Sequence, residues 1–188
     1  MPKKVDHLQR RTQIADALMR VTAQQGLEAV SVRHVAAAAG VSVGLVQHYF
    51  RGKDEMMAFA MSVVRDRSQA RLSAAIERLG DDPPPRLLVR TFLTALLPLD
   101  DESLADGRVA LAFLAYRAVR PSTAPALREE TAQLVEFLAD LLGDPAATDA
   151  ATGLLALMEG LGLYLLGGQY SAEQALAALD AQLDRLFG

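Results

Sequence analysis

SVRHVAAAAGVSVGLVQHYF, residues 31–50, is the stretch that decides how this chain is read. Val32, Val35, Ala36 and Ala39 fall on one face of a short helix that Ser31 starts as N-cap and Gly40 closes. Glycine at that point supplies the left-handed backbone of a tight turn. Val41 fills the angle, and Ser42 caps a second helix from Val43 to about Phe50, with Val46 and Phe50 turned inward. Two short helices joined by a glycine turn, with alanines that let them cross closely, form a helix-turn-helix. Val43, Gly44, Leu45, Gln47 and His48 are left outward near the start of the second helix, where a recognition helix meets base edges in the major groove.

Outward from this motif the pattern stays helical, with no sustained two-residue alternation. A preceding helix is expected from about His7 to Gln25, its apolar face built from Ile14, Ala17, Leu18 and Val21 and its end at Gly26. A long fourth helix follows from Asp54 to about Leu79, and GDDPPP at 80–85 breaks the chain. Five more are expected at about 86–97, after a loop and cap in LDDES (99–103) through Val119, at about 126–142, from about Ala146 to Leu166, and from Ser171 to Phe187. The expected fold is therefore all-α, about nine helices, with a three-helix head at 1–53 and a larger helical body at 54–188.

The chain has 188 residues, a 51% apolar share and a net charge of −4. Spread evenly, that charge would oppose binding to nucleic acid, but it is uneven. Residues 1–55 carry eight Lys and Arg against five Asp and Glu, and residues 56–188 carry eleven against eighteen. A basic head on an acidic body suits a protein that approaches phosphates at one end only. Without cysteine there is no disulfide, thiol nucleophile or thiolate metal site. His34 and His48 lack acidic or cysteine companions at ligand spacing, so neither a metal nor a cofactor is expected. GLG at 160–162 lies inside a helical pattern with no strand before it, which removes the dinucleotide reading. No uninterrupted apolar run of membrane-spanning length occurs, and a soluble, cytoplasmic protein that is not an enzyme is expected.

Ile14, Ala17, Gly26, Ala39-Gly40-Val41-Ser42-Val43-Gly44, His48-Tyr49-Phe50 and Lys53-Asp54 together resemble the head of the TetR family of bacterial repressors. Within it, VGLVQHYFRGKDEMM is most similar to the branch of choline-responsive betaine-pathway repressors, as, more loosely, is LMEGLGLYLLGGQYSAEQALAALDAQLDRL. The resemblance implies a transcriptional repressor that contacts double-stranded DNA through Arg33, Ser42, Val43, Gly44, Leu45, Gln47, His48, Tyr49 and Lys53. The chemistry of these residues agrees. Arg33 can fork onto guanine or phosphate, Gln47 can pair with adenine, Leu45 can touch a thymine methyl, and Lys53 stands at a helix start. Many family members carry tyrosine where Gln47 stands, which makes Gln47 a specificity determinant.

One head binds one half-site weakly, so the body is expected to form a homodimer. The last two helices are the candidates, through Leu154, Leu161, Leu176, Leu179 and Leu183. The resemblance further implies an effector pocket among the fourth to eighth helices, with Met61, Phe92, Leu96, Leu114, Arg117, Met158, Glu159 and Tyr164 as lining candidates. Arg117 and Glu159 stand among apolar neighbours in sequence, so each is either paired or available to a ligand. Quaternary ammonium ligands favour aromatic cages. The chain has no tryptophan, and Gly162 stands where that branch often carries one, so a largely apolar or amphipathic effector is expected. The competing reading is a constitutive DNA-binding dimer without a ligand switch.

Overall fold

Local capping sets the helix ends in the computed structural model, which describes residues 2–143 and 147–188, with side chains from His7 onward. Among the described residues there are nine α-helices and no strand. They are α1 (Pro2–Gln25), α2 (Val32–Ala39), α3 (Val43–Tyr49), α4 (Lys53–Glu77), α5 (Pro85–Leu96), α6 (Asp101–Ala118), α7 (Ala124–Leu141), α8 (Thr148–Leu166) and α9 (Ala172–Phe187). Single 3-10 turns occupy Leu27–Ala29 and Pro121–Thr123. The all-α expectation is met.

The starts of α2, α3, α6 and α9 follow from side chains that accept free backbone N–H groups. Ser31 Oγ accepts from His34 N at 3.2 Å, and Ser42 Oγ accepts from Leu45 N at 3.1 Å. Asp100 and Ser103 form a reciprocal capping box on α6, as do Ser171 and Gln174 on α9. Four starts lie earlier than the apolar period implied, that of α4 by one residue, and at the other three a proline stands in the first turn. Pro2, Pro85 and Pro125 fall in the first turns of α1, α5 and α7, where the missing N–H has no intrahelical partner to lose. The expected start of α8 at Ala146, and Asp144 and Pro145 before it, lie outside the described residues.

The chain divides into two compact units: residues up to Arg67 with Ala105–Ala115, and Ser68–Leu104 with Tyr116–Gly188. The helix-turn-helix stands on more than the first 53 residues, because the front of α4 and a stretch of α6 belong to the same unit. In this first unit α1 packs on α2 and α2 on α3. Its core includes Ile14, Ala17, Leu18, Val35, Val46 and Phe50, each at most 2% exposed. Burying each of the larger of these apolar side chains stabilises the fold by about 1.5–3 kcal/mol.

The second unit gathers α5, α7, α8 and α9 around Val89, Leu93, Leu138, Leu154, Leu179 and Leu183, all at 0% exposure. Matching charges one turn apart line the contact of α5 with α9. Arg90 donates to both carboxylate oxygens of Asp180 at 2.6 and 2.9 Å, and Arg86 Nε donates to Asp184 at 3.1 Å. The hydrogen bond from Arg90 holds the Asp180 carboxyl below the usual carboxylate range.

Candidate nucleic-acid interface

Gly40 adopts φ 67° and ψ 32°, so the chain reverses and Val41 N–H returns to the carbonyl of Ala36 at 3.0 Å. That turn sets α3 across α2. Val46 and Phe50, at 0 and 2% exposure, anchor the inner side of α3. Arg33 and His34 of α2, with Ser42, Val43, Gly44, Gln47 and His48 around α3, are exposed, and Leu45 and Tyr49 are half-buried. Six of the nine residues expected to meet DNA are thus exposed, and Leu45, Tyr49 and Lys53 are half-buried, Lys53 at the start of α4. Its ammonium donates to the carbonyl of Leu27 at 2.9 Å, so it also ties α4 to the turn after α1.

The sequence GVSVG at 40–44 has the spacing of a hydrolase nucleophile elbow, which requires a strand before the serine. Here a helix precedes it, and Ser42 Oγ is occupied as the cap of α3. A Cβ built on Gly44 meets nothing within 4 Å, so packing within the head does not require a glycine there.

Two supporting residues escaped sequence reasoning. The Arg11 guanidinium lies 4.6 Å from the ring centre of Phe50 and 4.5 Å from that of Phe59, and pairs with Glu55 at 3.3 Å. Glu55 also accepts from Arg51 N at 2.9 Å, so one carboxylate fixes the link between α3 and α4. The ring of His7 stands 4.7 Å from that of Tyr49, itself 5.1 Å from His48. No spacing rule connects these pairs, because α1 meets α3 and α4 only through the fold. Arg51, exposed between α3 and α4, adds a further cation beside the expected contacts.

In the second unit Phe92 is buried with its ring 5.0 Å from that of Phe137, and Leu96 and Met158 pack against the same core. Arg117 is paired, its two amino groups donating to Glu130 of α7 at 2.7 and 3.1 Å. Glu159 is exposed on α8, and Tyr164, 43% exposed, faces Tyr170 with ring centres 5.0 Å apart. Met61, half-buried, and Leu114, 44% exposed, belong to the first unit. The leucines expected at a dimer contact fare differently. Leu154, Leu161, Leu179 and Leu183 lie in the core of the second unit at 3% exposure or less, and Leu176 is half-buried. A side chain with no surface in one copy offers none to a second, so these four leucines belong to the chain's own core.

Residues 14–58 match the model of the bacterial regulatory proteins of the tetR family, and residues 85–188 match the C-terminal model of the BetI-type transcriptional repressors. The chain belongs to the TetR family. It is similar to the HTH-type transcriptional regulator PksA of Bacillus subtilis (strain 168), at 35% identity over 173 residues that cover 88% of this chain and 83% of PksA. Similarity to the HTH-type transcriptional regulator BetI of Stenotrophomonas maltophilia (strain R551-3) is 33% over 197 residues, covering 97% of each chain. A crystal structure of a transcriptional regulator from Rhodococcus sp. Rha1 superposes with a TM-score of 0.81 at 39% identity, covering 94% of this chain and 95% of that one. As a TetR-family member the protein is a DNA-binding transcriptional regulator. All nine expected DNA contacts fall inside the family's N-terminal match.

Proposed function

We propose that the protein is a cytoplasmic, homodimeric repressor that reads an inverted-repeat operator through α3 of each copy and is released by a small, largely apolar effector. The observation that carries this reading is the division of α3, with Val46 and Phe50 buried and Val43, Gly44, Gln47 and His48 exposed. The open space at Gly44 supports close approach of a nucleic-acid strand. Gln47 and Arg33 carry base recognition, while Tyr49, Lys53 and Arg51 lie toward phosphate.

Dimerisation is supported by what α8 leaves uncovered. Only 28% of its apolar stretch is buried within one copy. Its exposed or half-buried positions include Gly153, Ala156, Gly160 and Leu163, and a Cβ on either Gly153 or Gly160 meets nothing within 4 Å. Ala177 and Ala181 present a similarly small surface on α9. Small side chains let helices of two copies pack closely. The effector reading rests on the apolar character of Phe92, Leu96, Met158 and Tyr164 and on the absence of tryptophan.

Selection of duplexes from a random pool by the full-length protein tests the operator directly. An inverted repeat should emerge, and Gln47→Ala should bind it about 10- to 100-fold more weakly, with relaxed preference at one position per half-site. Selection of a single unpaired site, or full affinity in Gln47→Ala, would overturn the reading. Titration of the complex with choline and with anilinonaphthalene sulfonate examines release. The amphipathic dye should weaken binding and choline should not; release by choline alone would contradict the effector class.

A further inference from the structure

Two charged side chains of the second unit stand without an answering charge. Glu159 of α8 and Arg185 of α9 are both exposed, and neither side chain has an ion-pair or hydrogen-bond partner among the described residues. The two aspartates near Arg185 on α9 are engaged, Asp180 with Arg90 and Asp184 with Arg86. After Asp149 in its first turn, Glu159 is the one charge on α8, and Arg185 is the one cation on α9.

Both lie on the outward sides of their helices. Glu159 follows Ala156 at i+3 and precedes Leu163 at i+4, and Arg185 follows Ala177 at i+8 and Ala181 at i+4, all of them exposed. A lone charge on an open surface is well solvated, but one covered by a second copy loses its water and needs a countercharge. Position along the helices explains why the two do not meet within one copy. The link at 167–171 turns the chain back, so α9 packs antiparallel on α8. Glu159 lies seven residues before the end of α8 and Arg185 thirteen after the start of α9. They therefore stand about 10 and about 20 Å from the link.

A two-fold axis makes each contact twice, residue i of one copy meeting j of the other and j meeting i. An axis crossing the helices about 15 Å from the link brings Glu159 of each copy level with the partner's Arg185. At that level α8 carries Ala156 and α9 carries Ala181, and small side chains let helices of two copies approach. The free charges and the alanines thus agree on one crossing level. A face of alanine, glycine and leucine does little to oppose sliding by a turn, whereas a displaced copy would cover both charges unpaired.

We propose that Glu159 and Arg185 form reciprocal ion pairs between two copies of this chain, and that these pairs fix the register in which α8 and α9 of the copies meet. The proposal rests on the reading of the protein as a homodimer and adds which charges choose its arrangement.

The test uses the full-length protein, with dissociation of the dimer followed by sedimentation equilibrium. Glu159→Arg and Arg185→Glu each set like charges opposite one another twice, and each should weaken dimerisation about 100-fold or more. Combining both substitutions in one chain should restore dimerisation to within about tenfold of wild type. Co-expressed with different tags, the two single variants should co-purify as a heterodimer, because each like-charged pair is then replaced by an opposite one. Rescue in the combined variant but not in the mixture would mean pairing within one copy and would overturn the inference. Failure of both to dimerise overturns it as well. Single variants that dimerise like wild type overturn it alone and leave the homodimer standing. A wild-type protein that is monomeric at micromolar concentration overturns both.

Discussion

Compared side by side, α3 and α8 are both rich in apolar residues, yet they use them in opposite ways. In α3 two large side chains, Val46 and Phe50 at its C-cap, hold the helix down, and the outward positions carry Val43, Gln47 and His48. In α8 the inward positions Leu154, Leu155, Leu161 and Leu165 serve the chain's own core, and the outward side still holds Ala156 and Leu163. A short helix between two caps has one way to face. A long helix with apolar residues around most of its circumference has several, and its neighbours choose among them.

The sharpest way to break this comparison is to remove a core leucine from the body. Leu154→Ala or Leu179→Ala should lower stability by about 2–5 kcal/mol in denaturant unfolding, because each leaves a cavity at a fully buried position. The operator sequence selected by the surviving folded protein should not change. A silent Leu154→Ala would mean that α8 turns another face inward.

A matched pair of caps gives a smaller and more discriminating effect. Ser42→Ala and Ser171→Ala each remove an N-cap and should each cost about 1 kcal/mol. Only the first should also weaken operator binding, because Ser42 fixes the first turn of the helix that faces DNA. Equal binding by the two variants would detach the start of α3 from recognition.

The smallest expected effect is a pH dependence confined to the body. Asp180 has a folded-state pKa below its unfolded value, so the stability it contributes is present above the unfolded value and is lost as pH falls through the lower, folded one. The difference in stability between wild type and Asp180→Asn should therefore shrink on acidification below about pH 4. Operator preference at neutral pH should be the same in both. A gap that widened in acid would remove Arg90–Asp180 as the cause.

The head was readable because its signals are short in range. Ser31, Gly40 and Ser42 act within three to five residues of the groups they bond, and each is found where the pattern placed it. Lys53 is the instructive exception in the head. At a helix start its charge reads as a phosphate contact, and the fold adds a bond from its ammonium back to Leu27, 26 residues earlier. In the body, Arg117 in an apolar context left pairing and ligand binding open, and only the approach of α7 brought Glu130 to it. On α9 the leucine stripe left core and partner open as places for its side chains, and α5, which lies against the helix, leaves Leu179 and Leu183 fully buried and Leu176 half-buried.

By itself, then, the sequence determined the helical class, the caps, the glycine turn and the residues presented on α3. All of these follow from bonds and sterics between near neighbours in the chain. Tertiary structure alone decided which leucines are core, how Arg11 supports α3 and α4, and that Arg67 meets Asp16 and Asp106, 51 and 39 residues away. Such meetings depend on how whole helices pack, and no periodicity within one helix records which partner will cover it.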